Sequence, residues 1–137
     1  MIAYADSSAI LRRVLPQPGA IADWDKIERL ICGRLVEVEC NRTLDRLRIT
    51  QTLSLQQLER AREDLTAVLA HAEFVEVSPM VLRNAGAPMP VVLGTLDAIH
   101  FATARLWQDQ HGLPLTMATH DTALADAARL HGMPVLG

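Results

Sequence analysis

Lysine is almost missing from this 137-residue chain, with Lys26 its single instance, so nearly all positive charge is arginine. Arginine's planar fork suits phosphate oxygens. The chain is nevertheless slightly acidic, with a net charge of −3. Nucleic-acid partners favour basic surfaces, so this balance by itself argues weakly against one. An acidic excess gathered in one pocket would be offset by a bound cation. Cysteine is limited to Cys32 and Cys40, with seven residues between them. That spacing excludes an ordinary zinc site and reads as two reduced, packed thiols. No apolar run approaches the roughly 20 residues that a membrane helix needs. The opening MIAYADSSAI shows no basic stretch ahead of an apolar one, as a secretory leader would. The expectation is a cytoplasmic protein without a membrane partner. Repeats, low-complexity tracts and linkers are also lacking. Length and a hydrophobic fraction of 50% fit a single domain over residues 1–137.

Short apolar segments alternate with helical patterns along the chain. Strands are expected at Ile2–Ala5, Arg29–Cys32, Phe74–Val77, Leu115–Ala118 and Val135–Leu136. Helices are expected at Ser7–Leu15, Ala20–Ile27, Arg34–Ile49, Ser54–Ala72, Pro79–Ala85, Thr95–Gln110 and Asp121–His131. Ser54 with Gln57 three residues on has the pattern of a capping box. Pro79 fits the first turn of a helix. Gly86–Gly94 reads as a loop, and Gly112 and Gly132 as helix stops. Strands alternating with helices imply parallel βαβ units, hence a three-layer α/β/α domain.

In open α/β sheets, ligands bind beyond the carboxyl ends of the strands. Asp6 directly follows the first strand and Asp121 the fourth, and both also precede helices, where aspartate is a preferred N-cap. Glu39 sits on an amphipathic helix, where a solvated role is usual. Asp97 is different. It lies in Leu96-Asp97-Ala98-Ile99, one turn into a helix whose Phe101, Ala102 and Ala104 suggest burial. A carboxylate there needs a partner or a metal, and the N-terminal half of a helix favours an anion.

At these residues the chain resembles a known family, the PIN-domain ribonucleases, in particular the VapC-type toxins of type II toxin–antitoxin systems. Tyr4-Ala5-Asp6-Ser7-Ser8-Ala9 is similar to the family's opening strand and first acid. Val38-Glu39-Cys40-Asn41-Arg42 is similar to the second motif, an acid followed by arginine three residues later. Leu96-Asp97-Ala98-Ile99-His100-Phe101-Ala102-Thr103-Ala104 matches the third almost letter for letter. Ala118-Thr119-His120-Asp121, with Leu124-Ala125, Ala127-Ala128 and Gly132-Met133-Pro134-Val135, matches the fourth. Cys40 and Asn41 depart from the aliphatics usual after the second acid, which leaves Glu37 as a minor rival to Glu39.

The resemblance implies a parallel sheet of order 3-2-1-4-5, which sets Asp6 and Asp121 side by side. It implies a metal-dependent endoribonuclease that cleaves single-stranded or loop RNA. Hard divalent cations prefer oxygen ligands, so Asp6, Glu39, Asp97 and Asp121 are the expected catalytic ligands of Mg²⁺ or Mn²⁺, with Asp121 binding directly or through water. Thr119 and Ser7 are expected to orient them. Arg42 and Arg46, one turn apart beside Glu39, are candidates for holding RNA phosphates. Arg42 equally suits a structural ion pair, and Arg12 and Arg13 are weaker candidates. His100 reads as a packing residue rather than a general base. His71, His111, His120 and His131 share no ligand spacing. A cognate antitoxin and a homodimer are the implied protein partners, with Met80–Leu82 and Pro90–Leu93 as contact surface.

Other functions fit less well. A dehalogenase-like phosphatase wants a second aspartate where Ser8 stands. A receiver domain wants its aspartate after the third strand, where Ser78-Pro79 stands. A nucleotide-binding domain wants a glycine-rich turn after the first strand, and none is present. A PIN-type nuclease of RNA processing or DNA flaps, or a non-catalytic interaction module on the same fold, remains as the alternative.

Overall fold

The computed structural model describes residues 1–137. Its strands are β1 (Ile2–Ala5), β2 (Arg29–Gly33), β3 (Ala72–Val75), β4 (Thr116–Ala118) and β5 (Val135–Leu136). Its helices are α1 (Ser7–Val14), α2 (Leu35–Ile49), α3 (Leu55–Ala70), α4 (Pro79–Ala85), α5 (Thr95–His111) and α6 (Thr122–Leu130). The strands form one sheet in the order β3-β2-β1-β4-β5, and every neighbouring pair is parallel. The α/β class and the strand order are those expected.

Parallel sheets need both faces covered, and β1 shows how short residues achieve this. Ala3 and Ala5 point into a core shared with Ile10, Val36, Leu44, Leu58 and Leu65 of α1, α2 and α3. Tyr4 points the other way, into a core with Phe101 and Trp107 of α5 and Leu124 of α6. Burying each of these larger side chains contributes roughly 1.5–3 kcal/mol. The capping box at α3 forms as the pattern implies. Gln57 N donates to Ser54 Oγ at 3.1 Å, and Ser54 N donates to Gln57 Oε1 at 2.9 Å. Gly112 closes α5 at φ +63°, a left-handed position that favours glycine.

Two expected elements are corrected. Ala20–Ile27 holds only one 3-10 turn, Trp24–Lys26. Its Asp23 makes no side-chain cap, and so short a helix has too few backbone bonds to propagate. The third strand lies two residues earlier than Phe74–Val77. Register with β2 pairs Leu30 with Ala72 and Gly33 with Val75, and α3 stops at Ala70 to allow it. No helix is long and apolar enough to cross a membrane.

Candidate active site

The order reverses at β1, whose return connection leads to β2 on one side while β4 lies on the other. A crevice opens at such a switch point beyond the strand ends. Asp6 and the Thr119–Asp121 segment emerge there together, joined by Asp6 N donating to the Ala118 carbonyl at 3.3 Å.

Asp6 is 4% exposed. Its Oδ2 accepts from Thr119 Oγ1 at 2.8 Å, and its Oδ1 from Ser8 Oγ at 2.7 Å and Ala9 N at 3.1 Å. The last bond makes Asp6 the N-cap of α1. Asp121 caps α6 in the same way, accepting from Leu124 N at 2.8 Å. Thr119 links the pair, since its Oγ1 also accepts from Asp121 N at 3.0 Å. Both acids therefore cap helices and are tied to each other through Thr119. Each helix N-terminus that they close adds positive potential to an anionic site.

Glu39 reaches the crevice from α2. Its Oε1 accepts from Ser7 Oγ at 3.3 Å and its Oε2 from His100 Nε2 at 2.7 Å. Glu37, its rival from sequence, is exposed on the same helix, away from these partners. Asp97 stands in the first turn of α5. Desolvation raises its pKa, and the charges of Asp121, Asp6 and Glu39 raise it further against an opposing effect of His100. No hydrogen bond contributes to the shift. The carboxyl group of Asp97 thus lies within the field of the other three acids and has no donor of its own.

As the side chains are placed, no three His, Cys, Asp or Glu groups converge tightly enough to grip an ion. Asp6 and Asp121 are instead turned onto the backbone that they cap. The donor chemistry nonetheless fits a hard divalent cation, because every acid offers oxygen and no lysine or arginine neutralises the group.

The two arginines part company. Arg42 lines a cleft of about 380 Å³ with Ser7, Glu39, Leu35, Val38 and Leu96, and it pairs with Asp45 at 3.1 Å. Arg48 also bonds Asp45, and these cations hold its carboxyl below the usual range. Arg46 lines a separate groove with Leu11, Leu15, Pro16 and Leu53. Arg12 donates to the Pro18 carbonyl at 2.8 Å.

Three contributors, Ser8, His100 and Tyr4, were not legible as such. Ser8 Oγ serves Asp6 and also accepts from His120 N at 2.8 Å. His100 is buried, as a packing residue should be, yet it holds Glu39 through Nε2 and meets Tyr4 Oη at 2.8 Å through Nδ1. The signal for His100 was its place three residues after Asp97, which puts both on one helix face. Cys32 and Cys40 are free and buried, and burial pushes both thiols up to about 12.

Comparison with known proteins bears on the family and the fold. The PIN domain family profile matches residues 3–130. The chain is 35% identical over 134 residues to Ribonuclease VapC46 of Mycobacterium tuberculosis, covering 97% of this chain and 95% of that one. It is 31% identical over 139 residues to Ribonuclease VapC35 of the same species, covering 97% and 94%. Among solved structures, VapBC2 from Rickettsia felis, bound to a DNA fragment from their promoter, aligns with TM-score 0.67 at 13% identity, covering 98% of this chain and 97% of that one. PAE2754 from Pyrobaculum aerophilum aligns with TM-score 0.62 at 21% identity, covering 98% and 83%. Identities this low speak to the fold alone.

Proposed function

Since the chain belongs to the PIN-domain family, in its VapC branch of toxin nucleases, we propose that it is an endoribonuclease dependent on Mg²⁺ or Mn²⁺ that cleaves single-stranded or loop RNA as the toxin of a toxin–antitoxin pair. The observation that carries this reading is Asp97. It is a carboxylate without a donor, in the field of Asp121, Asp6 and Glu39. Such a cluster repels itself unless a cation joins it. Asp6, Glu39 and Asp97 would hold that ion, with Asp121 binding directly or through water. When bound, it supplies positive charge to the phosphoryl oxygens of the scissile bond.

The protein's own groups prepare the site. Thr119 and Ser8 hold the Asp6 carboxylate, and Ser7 holds Glu39. Arg42, at the rim of the Glu39 cleft and paired with Asp45, would exchange that carboxylate for an RNA phosphate. Arg46 faces the neighbouring groove, and its part in RNA binding is a contact beyond the cleaved bond. The protein partners in this reading are a cognate antitoxin and a second copy of the chain. Met80, Leu82 and Val92 are exposed apolar residues that suit a protein contact.

The test is cleavage of single-stranded RNA by the purified protein with Mg²⁺ or Mn²⁺ and with EDTA. Asp6→Asn and Asp97→Asn are expected to abolish cutting while far-UV circular dichroism stays native. Full activity in EDTA, or wild-type rates in both variants, would overturn the reading.

A further inference from the structure

The Glu39 carboxylate is held from behind by a relay that crosses the sheet. Glu39 Oε2 lies 2.7 Å from His100 Nε2, and His100 Nδ1 lies 2.8 Å from Tyr4 Oη. His100 is 2% exposed and Tyr4 is fully buried. The chain builds room for this. A Cβ at Gly33, the last residue of β2, would stand 2.7 Å from Tyr4 Oη and 3.8 Å from His100 Nδ1. Only glycine therefore lets the tyrosine hydroxyl reach the imidazole.

Thr103, on the same helix as His100, gives its hydroxyl proton to the Ile99 carbonyl at 2.6 Å, and the hydrogen-bond partner of the Tyr4 hydroxyl is His100.

We propose that Tyr4 and His100 form a positioning relay that holds the Glu39 carboxylate in place for the divalent cation. This rests on the reading of Glu39 as a ligand. His100 touches the carboxylate, not the RNA, and acts through Glu39. Partners that hydrogen-bond a metal ligand fix its orientation, and their loss weakens metal affinity by about 10–100-fold.

The experiment measures Mn²⁺ affinity by electron paramagnetic resonance of the free ion, alongside kcat and KM on single-stranded RNA. Wild type, Tyr4→Phe, His100→Leu, His100→Gln and Asp6→Asn are compared. His100→Leu is expected to bind Mn²⁺ about tenfold or more weakly, with loss in kcat at subsaturating metal and little change in KM. His100→Gln restores a side-chain N–H toward Glu39 and should recover most of the affinity. Tyr4→Phe removes one hydroxyl far from the acids and should fall between. A His100→Leu protein that binds Mn²⁺ like wild type, or a glutamine variant no better than leucine, would overturn the relay. Should His100→Leu fail to fold, Tyr4→Phe decides it, since wild-type affinity in that variant also overturns the relay. If Asp6→Asn alone weakens Mn²⁺ binding, the relay fails and the metal-site reading stands. If wild type binds no Mn²⁺, both fall.

Discussion

Replacing Asp97 by asparagine separates the metal response of this fold from its intrinsic stability. The carboxyl of Asp97 is the one acid of the site without a hydrogen-bond donor, and it feels Asp121, Asp6 and Glu39 as like charges. Its pKa is raised in the folded chain. A raised carboxyl contributes stability at acid pH, below its unfolded value, and that contribution is lost as pH rises through the folded pKa. The amide removes this dependence, so the metal-free variant should melt at or above metal-free wild type at neutral pH. Metal reverses the order. A ligand at about 100 times its Kd stabilises the native state by about 2.7 kcal/mol. In a chain of this size, 1 kcal/mol shifts Tm by about 4 °C, so wild type should gain about 10 °C. A tenfold loss of affinity takes away about 1.4 kcal/mol, leaving the variant a gain of about half as much at the same Mn²⁺ concentration. Calorimetric melts of both proteins with EDTA and with Mn²⁺ provide the assay. A wild type that gains nothing from saturating Mn²⁺, or a variant that gains as much as wild type, refutes the reasoning. So does a metal-free variant that melts several degrees below wild type.

Other outcomes follow from neighbouring features. Glu73 accepts from Trp107 Nε1 at 2.9 Å and from Arg29 at 2.7 Å, and these two bonds lower its pKa. Its stabilisation is present above the unfolded carboxylate range and lost as pH falls through the folded pKa. Glu73→Gln should therefore be less stable at neutral pH, by no more than about 1 kcal/mol because the pair is solvent-screened, and equal to wild type in acid. Parallel acid-denaturation curves at every pH would contradict this. In light scattering the protein should run as a dimer, and Leu82→Glu should shift it toward monomer, because Leu82 and Val92 are exposed at 50% and 94%. A wild type that is monomeric at high concentration rules that contact out.

What the sequence made legible was local. The alternation of strands and helices, the capping box at Ser54 and the unusual carboxylate in an apolar helix at Asp97 are all written within a few residues of one another. The edges of β3 were not, because Glu73 is a polar residue inside a strand and its partners, Arg29 and Trp107, lie far away in the chain. The helix expected at Ala20–Ile27 failed for a related reason, since composition there permits a helix and nothing caps it. Asp6 and Asp121 were readable as residues after strands. The hydroxyls and imidazole that hold them were harder, because His100 and Glu39 meet across 61 positions of sequence. Burial of His100 was rightly expected, but an apolar setting does not reveal which polar group the ring will face.

The two-sided packing of β1 has a consequence for how this protein can change over time. Ala3 and Ala5 look toward one core, Tyr4 toward the other, and Asp6 follows at once. Side chains alternate strictly along a strand, so loss or gain of one residue exchanges every face. A deletion here would push the tyrosine among helices that approach closely only over alanine, empty its place beside His100, and rotate Asp6 away from Thr119. Core, relay and acid are thus encoded in the single short stretch Ala3–Asp6, which can drift by substitution but not by change of length.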